Sequence, residues 1–507
     1  MKRRDFVKSL GLGAATFGLP HFYNRCSPVP DKPNIIYILA DDLGYTELGC
    51  YGQEKIRTPN LDRMAEEGMR FLQHYAGSPV CAPSRCTLLT GKHTGHALIR
   101  DNDEMNERGD VWNDPSIEGQ RPLPSGTVTL GHVMQEAGYT TAAVGKWGLG
   151  GPTDSGHAND QGFDFWYGYL CQRQAHNYYP THLWRNKEKI ILEGNPYFKA
   201  HQRFPQEQDP QEKGAYAEYS GAHYAPDLMT QEALDFIRNN QDNPFFLYLA
   251  YPIPHLALQV PDDSLAEYAT AFPETPYLGD KGYLPHLTPR AAYAAMITRM
   301  DGYVGQIFSL LAELDLDENT VVMFTSDNGP TYTGGADTDF FKSASPLRGL
   351  KGSLFEGGIR VPLLARWPGH IPGGSTSTHI SAFWDVMPTL CEMAGRAAPA
   401  EMDGISFAPV LQGKSPLVRH DYLDWEFTGY GGQQALRMGK WKAIRVGMKR
   451  DETDSSLQLY DLEKDPSESK NVAASHPEII AQIRKALKEA HGPSQHFPFP
   501  EISFRKP

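Results

Sequence analysis

"NIIYILADD", Asn34 to Asp42, is apolar from Ile35 to Ala40 and then breaks into two carboxylates. A half-exposed strand would alternate apolar and polar residues. An unbroken apolar run is what a parallel strand covered on both faces requires. The pair Asp41-Asp42 then falls at the strand's carboxyl end, where open α/β sheets hold their ligands. Outward from this strand the pattern repeats. "TPNLDRMAEEG" predicts a helix with Thr58 as cap, Pro59 in the first turn and Gly68 at the close. "TVTLGHVMQEAG" predicts a helix stopped by Gly138, followed by the strand "YTTAAVG". The helix "APDLMTQEALDFIRNN" precedes the strand "PFFLYLAY", and a long helix from Pro289 to Leu314 precedes "TVVMFTSDNG". Strand and helix in alternation define an open α/β sheet.

After Gly395 the alternation stops. "GYGGQQALRMGKWKAIRV" and "LQLYDLEKDP" read as antiparallel strands, and "SHPEIIAQIRKALKEAHG" as one amphipathic helix with Ser475 and Glu478 in a capping-box pattern. Two segments, Gly151 to Tyr224 and Pro261 to Pro289, are rich in Tyr, His, Pro and Gly without a clear period. Long irregular segments of this kind build the walls of active sites.

The 507 residues, 40% of them apolar, are enough for one large domain or two with a sizeable core. The net charge of -13 argues against nucleic acid or an anionic membrane surface as a partner. The N-terminus, "MKRRDFVKSLGLGAATFGLP", has the layout of an export leader. Its Arg3-Arg4 pair before Phe6 and Lys8 points to twin-arginine export of a folded protein to the periplasm or beyond, with a Sec signal as the alternative. No later apolar run is long enough for a transmembrane anchor. Cys26 ends the leader, but Tyr23-Asn24-Arg25 before it is a poor lipidation signal, which argues against a lipid anchor there.

Six cysteines in so long a chain do not make a disulfide framework, and no C-x-x-C pair points to zinc. Two predicted core strands end in acidic or amide pairs, Asp41-Asp42 and Asp327-Asn328. Each alone reads equally well as a cap or turn. Together they offer four oxygen ligands at the same sheet edge, a set suited to a hard cation such as Ca²⁺ or Mg²⁺. "CAPSRCTLLTG", Cys81 to Gly91, sets a thiol ahead of a helix and beside Arg85. Such a thiol has a lowered pKa and can act as a nucleophile; a buried packing cysteine is the competing reading.

Cys81-Ala82-Pro83-Ser84-Arg85, with Leu89-Thr90-Gly91-Lys92 following, resembles the signature of the formylglycine-dependent sulfatases, within the alkaline phosphatase superfamily. "NIIYILADDLG", "GKWGLG", "PIPHLALQVP", "TSDNG", "LRGLKGSLFEGGIRVP" and "LQLYDLEKDPSE" resemble sulfatase segments in family order, so the likeness covers nearly the whole chain after the leader. It implies an alkaline-phosphatase-like α/β sandwich: a large mixed, mostly parallel sheet, with a smaller C-terminal α+β unit carrying an antiparallel sheet. The division expected is a leader over 1–30, a catalytic domain over 31–395 and the C-terminal unit over 396–507.

The resemblance further implies that a formylglycine-generating or anaerobic sulfatase-maturating enzyme oxidises Cys81 to Cα-formylglycine. One Ca²⁺ is then bound by Asp41, Asp42, Asp327, Asn328 and the modified residue 81. The hydrated aldehyde has two hydroxyls, one to attack sulfur and one whose collapse expels sulfate. Arg85, Lys146 and Lys351 neutralise the sulfate oxygens. His255 protonates the departing alcohol, and Asp327 is the base for the attacking hydroxyl.

One position departs from the family. The common Gly-Lys-Trp-His-Leu-Gly is here Gly145-Lys146-Trp147-Gly148-Leu149-Gly150, without the histidine that contacts sulfate. His176 is the first candidate to replace it, ahead of His96 and His182. The segment "RQAHNYYPTHLWRN" offers His176, Asn177, His182 and Arg185 as a sugar-binding wall, with Arg100 adding contacts. The expected substrate is a sulfated polysaccharide or oligosaccharide, best read as galactose or N-acetylgalactosamine 4-O-sulfate of chondroitin or algal galactans. The alternatives are a 6-O-sulfatase, a phosphonate or phosphate monoester hydrolase, and an inactive sulfoglycan-binding homologue.

Overall fold

The computed structural model describes residues 32–105, 111–114, 117–416, 418–449 and 456–499. The expected leader, the export signal and Cys26 lie outside the described residues.

Strand β1 (Asn34–Asp41) is the middle of the large sheet and runs parallel to both neighbours, β7 (Phe245–Pro254) and β8 (Thr320–Ser326). All eight of its residues are buried. Ile36, Ile38 and Ala40 pack into the core on one face, while Ile35, Tyr37 and Leu39 pack into the core on the other. The unbroken apolar run of the sequence is thus two alternating faces, both covered.

Beyond β7 the sheet continues parallel through β3 (Thr140–Lys146) and β4 (Phe165–Tyr169), then antiparallel through β5 (His182–Arg185) and β6 (Glu188–Ile191). Beyond β8 it continues antiparallel through β9 (Arg360–Arg366) and β2 (Met69–Tyr75), with β10 (Ser375–Ser377) and β11 (Ser381–Ala382) paired to β2. The sheet is therefore mixed and mostly parallel at its centre, and two helical layers cover it. Helix α1 (Pro59–Glu67), α4 (Ala225–Asn239) and the long helix Pro289–Glu313 lie on one face, against Ile36 and Ile38. Helices α2 (Cys81–Thr90), α3 (Leu130–Glu136) and Val386–Met393 lie on the other, against Tyr37 and Leu39.

A second sheet, antiparallel in the order β12 (Leu423–Phe427), β13 (Gln433–Met438), β14 (Trp441–Val446) and β15 (Gln458–Asp461), follows the hairpin pattern read from the sequence. One face, with Trp425, Ala435 and Ile444, packs on Tyr75, Leu354 and Trp384 of the large body. The other, with Leu436, Ala443 and Leu459, packs on Ile483 and Leu487 of the terminal helix Pro477–Ala490.

The capping box does not form. Ser475 ends a short 3-10 turn, and His476 is the residue before the helix, with no side-chain cap. Pro477 has no N–H and fits the first helical position, so it moves the cap one residue past Ser475.

Candidate active site

The carboxyl ends of β1 and β8 lie side by side, and their register decides the site. Asp327 donates its backbone N–H to Ala40, and Asp42 donates its own to Asp327 Oδ1 at 3.1 Å. Asp42 has φ of 67°, a left-handed conformation that bulky residues avoid, so the turn after β1 holds its carboxylate in a costly backbone geometry. Asn328 Nδ2 donates to Asp42 Oδ1 at 2.7 Å, while Asn328 Oδ1 is buried with no hydrogen-bond partner.

Cys81 is itself the first residue of helix α2 rather than ahead of it, and the helix is capped by Gly91 in the left-handed region. Cys81 Sγ lies 3.4 Å from Asp41 Oδ1 and 3.5 Å from Lys146 Nζ. One turn on, Arg85 reaches back with Nε and Nη2 to Asp327 Oδ2, at 3.1 and 2.8 Å, and Nη2 is 3.3 Å from Asp41 Oδ2. Lys146, the last residue of β3, pairs with Asp41, and Lys351 Nζ lies 2.8 Å from Asp42 Oδ2. His255 Nε2 is 3.7 Å from the same oxygen, and its Nδ1 is 2.6 Å from Leu256 O. Asp41, Asp42, Arg85, Lys146, His255, Asp327 and Asn328 are all buried.

Burial and charge pull these groups in opposite directions. Burial would raise Asp41, but Lys146 and then Arg85 hold it below the ordinary carboxylate value. Asp42 is raised, by burial first, against the pull of Lys351, and Asp41 repels it further. Asp327 is pushed up to about 7 by burial and by Asp41. The thiol of Cys81 differs from the sequence expectation. Burial, followed by the Asp41 carboxylate, pushes it up to about 12, so a helix N-terminus and an arginine do not make it a ready thiolate. That suits a side chain whose chemistry comes after modification.

Three carboxylates and three cations, Arg85, Lys146 and Lys351, balance formally within the cluster. Asp41, Asp42, Cys81 and His255 each bring a possible ligand atom within 4.8 Å of one another. Asn328 Oδ1, an orphan acceptor on a side chain bonded to Asp42, is what a hard cation would satisfy beside the two carboxylates. A divalent ion there leaves a net positive site suited to a monoanionic ester.

The other residues singled out by the sequence are distributed as follows. His176 lies against His255, ring centroids 4.7 Å apart. Asn177 and His182 line a neighbouring cleft of about 190 Å³ with Trp112 and Tyr197, and His182 Nε2 is 3.0 Å from Glu118 Oε2. Arg185, on the outer strand β5, pairs with Glu232 and covers the Phe165 and Tyr167 rings. Arg100 is buried and tied to Glu426 and the Gly492 carbonyl, so its guanidinium is spent on holding the C-terminal unit; its neighbour Asn102 accepts from the Ala82 N–H beside Cys81. His93 and His96 share Asp403 beyond the far end of α2.

Gly148 has φ of 79°, and a Cβ built there would meet Gln172 Oε1 at 3.0 Å. Gln172 was not singled out by sequence, because nothing local links it to Gly148. Its Oε1 is buried without a partner. The side chain of Gln172 thus lies in the space that a side chain at 148 would enter.

An α/β sandwich with buried carboxylates, a cysteine at a helix start and three cations gathered at the carboxyl ends of its central strands has the architecture of an alkaline-phosphatase-like hydrolase. The comparisons agree. The family model described as Sulfatase matches residues 33–396, and that described as N-sulphoglucosamine sulphohydrolase, C-terminal, matches residues 351–492. N-acetylgalactosamine-6-sulfatase of Canis lupus familiaris is 34% identical over 452 residues, covering 86% of this chain and 74% of its own. Arylsulfatase A of Homo sapiens is 33% identical, covering 92% and 91%. The crystal structure of Ps i-CgsB in complex with k-i-k-neocarrahexaose superposes with a TM-score of 0.69 at 29% identity, covering 93% of this chain and 95% of that one. The chain belongs to the sulfatase family, and it is a sulfuric ester hydrolase.

Proposed function

We propose that this sulfatase acts outside the cytoplasm on a sulfated polysaccharide or oligosaccharide, removing sulfate from galactose or N-acetylgalactosamine at O4. The observation that carries the proposal is the convergence of Cys81, at the N-terminus of α2, with Asp41, Lys146 and Arg85 beneath the carboxyl ends of β1 and β8. Formylglycine at position 81 would supply the nucleophilic hydroxyl, and Ca²⁺ held by Asp41, Asp42, Asp327 and Asn328 would polarise the sulfate. Around that centre the chain's own groups divide the work. Lys146 and Lys351, each already on a carboxylate that would bind the ion, hold the equatorial oxygens of the ester and leave sulfur open to in-line attack. Arg85 fixes Asp327 with two N–H groups and keeps it oriented as a base. His255 stands on the leaving-group side, with its Nε2 toward Asp42.

A galactose-type sugar is favoured by two relatives: an enzyme named for N-acetylgalactosamine and a structure complexed with a carrahexaose. The 6-O position is the second reading, since that relative is a 6-sulfatase. Mass spectrometry of the Cys81 peptide from the native host should show the aldehyde. Sulfate release should then be highest from 4-O-sulfated galactose or N-acetylgalactosamine. Preference for the 6-O esters establishes the second reading, and an unconverted thiol in the native host overturns the mechanism.

A further inference from the structure

Outside the cluster of acids and cations, two loops remote in sequence set a third imidazole behind His176. His176 Nδ1 lies 3.0 Å from Nε2 of His201. His201 packs on the Tyr283 ring, centroids 4.6 Å apart, and its Nδ1 lies 3.2 Å from the backbone nitrogen of Tyr283. Gly282 and Tyr283 both have positive φ, 80° and 66°, so a tight turn aims that N–H at the imidazole.

These contacts fix which nitrogens carry protons. A backbone N–H can only donate, so Nδ1 of His201 is the bare acceptor. The proton of neutral His201 is then on Nε2, and it is donated to Nδ1 of His176. With Nδ1 taken as acceptor, His176 carries its own proton on Nε2, which meets no protein acceptor among the described residues. His255 is fixed the other way. Its Nδ1 faces the Leu256 carbonyl, which can only accept, so its proton is on Nδ1 and its bare Nε2 turns to the acids. The two stacked rings, 19° apart in plane, therefore offer opposite chemistry in their neutral forms: an N–H from His176 and a lone pair from His255, which must take up a proton at Nε2 before it can give one to a leaving alcohol.

We infer that His201 is a positioning residue that, anchored by the Tyr283 N–H, holds His176 as a neutral Nε2–H donor to an oxygen of the bound sulfate ester. This rests on the sulfatase reading of the site. It gives the hydrogen bond that Gly148 cannot make, without proton transfer: an imidazolium at His176 would point an Nδ1–H at the Nε2–H of His201. Burial, then His255, Lys146, His201 and Lys351 together hold the His176 ring neutral; the His201 contact decides which of its nitrogens carries the proton.

The test compares the full-length protein with His201→Ala and His201→Gln. A glutamine can accept from Tyr283 through its carbonyl and donate to His176 through its amide, whereas alanine can do neither. Spectra of ¹⁵N-histidine-labelled protein need no substrate, and the His176 signals are assigned by their loss in His176→Gln. The Nε2 signal of His176 should be of the N–H type over roughly pH 5 to 8 in the wild type and His201→Gln, and should move toward a mixture of the two neutral tautomers in His201→Ala. With the best sulfate ester, kcat should fall about tenfold or more in His201→Ala and recover in His201→Gln. A His176 tautomer indifferent to His201→Ala, or a glutamine variant no better than alanine, overturns the inference. Failure of the wild type to release sulfate from any ester rejects the functional reading alone, because the spectra still report the tautomer.

Discussion

Two buried ionic clusters, one at the carboxyl ends of β1 and β8 and one beneath the small sheet, use the same residue types to different ends. In the second, Lys442 lies 2.9 Å from Glu356 and 3.1 Å from Glu468, all three buried, and Arg437 joins through Tyr75. Burial would raise Glu356, but Lys442, then Arg437 and Arg360, hold it at about 2. Lys442 cannot do the same for Glu468, which burial pushes up to about 7. A single proton on Glu468 settles that cluster. In the site, Asp42 and Asp327 are both raised, so no one proton settles it. Asn328 Oδ1 has no hydrogen-bond partner, whereas Glu468 Oε1, also without one, still faces Lys442 Nζ at 3.1 Å. A cluster that satisfies itself is a clasp; one that needs an ion and an anion is a binding site.

The largest effect that would break the comparison is on turnover. Lys146→Met should lower kcat/KM for sulfate release by about 10²–10³-fold, the scale of losing one preorganised charge at the transition state. Its melting midpoint should drop less than that of Lys442→Met, because Arg85 still faces Asp41. If Lys146→Met melted lower than Lys442→Met while retaining turnover, the two clusters would have exchanged roles.

Next in size is the clasp. Lys442→Met leaves two carboxyl groups buried without their cation and should cost about 3–5 kcal/mol in denaturant unfolding. Turnover per folded molecule should change far less than in Lys146→Met. Because Glu356 opens a short helix five residues after Lys351, a small rise in KM would sharpen the picture, and a collapse of kcat would break it.

The smallest effect is in the pH dependence of stability, and its two limbs have opposite signs. Glu356 is depressed from 4.5 to about 2, so the stability it contributes is full above its unfolded value and is lost as pH falls below about 4.5. Glu468 is raised from 4.5 to about 7, so its contribution is present at low pH and is lost as pH rises toward 7. In thermal melts across this range, Glu356→Gln should flatten the acid limb and Glu468→Gln the limb below neutrality. An unchanged profile in both variants would show that the clasp is not coupled to folding.

Much of this was legible in the chain because its signals are local. The apolar run from Ile35 to Ala40 reports a doubly covered strand, and the Cys81 to Gly91 motif carries a cysteine and an arginine one helical turn apart. Asp41-Asp42 and Asp327-Asn328 could be placed at strand ends because strand termini are marked by the loss of apolar residues. Other residues were not legible for an equally physical reason. Arg100 and Arg185 are charged residues in segments without a period, and composition cannot tell a guanidinium that meets substrate from one that meets Glu426 or Glu232. Ser475 fitted a capping motif that Pro477 overrode by one position.

The sequence alone determined the order of strands and helices, the residue types at the strand ends and membership of a family whose motif is contiguous, since each depends on neighbours along the chain. Only the tertiary structure decided which charges meet. Asp42 and Asp327 lie 285 positions apart, and the register of β1 against β8 sets their contact. Gln172 fills the space at Gly148, and His201 orients His176, through loops whose paths no local pattern encodes. The physical reason is the same in each case: a proton or a charge is assigned by what lies within hydrogen-bond reach of it, and that is a property of packing.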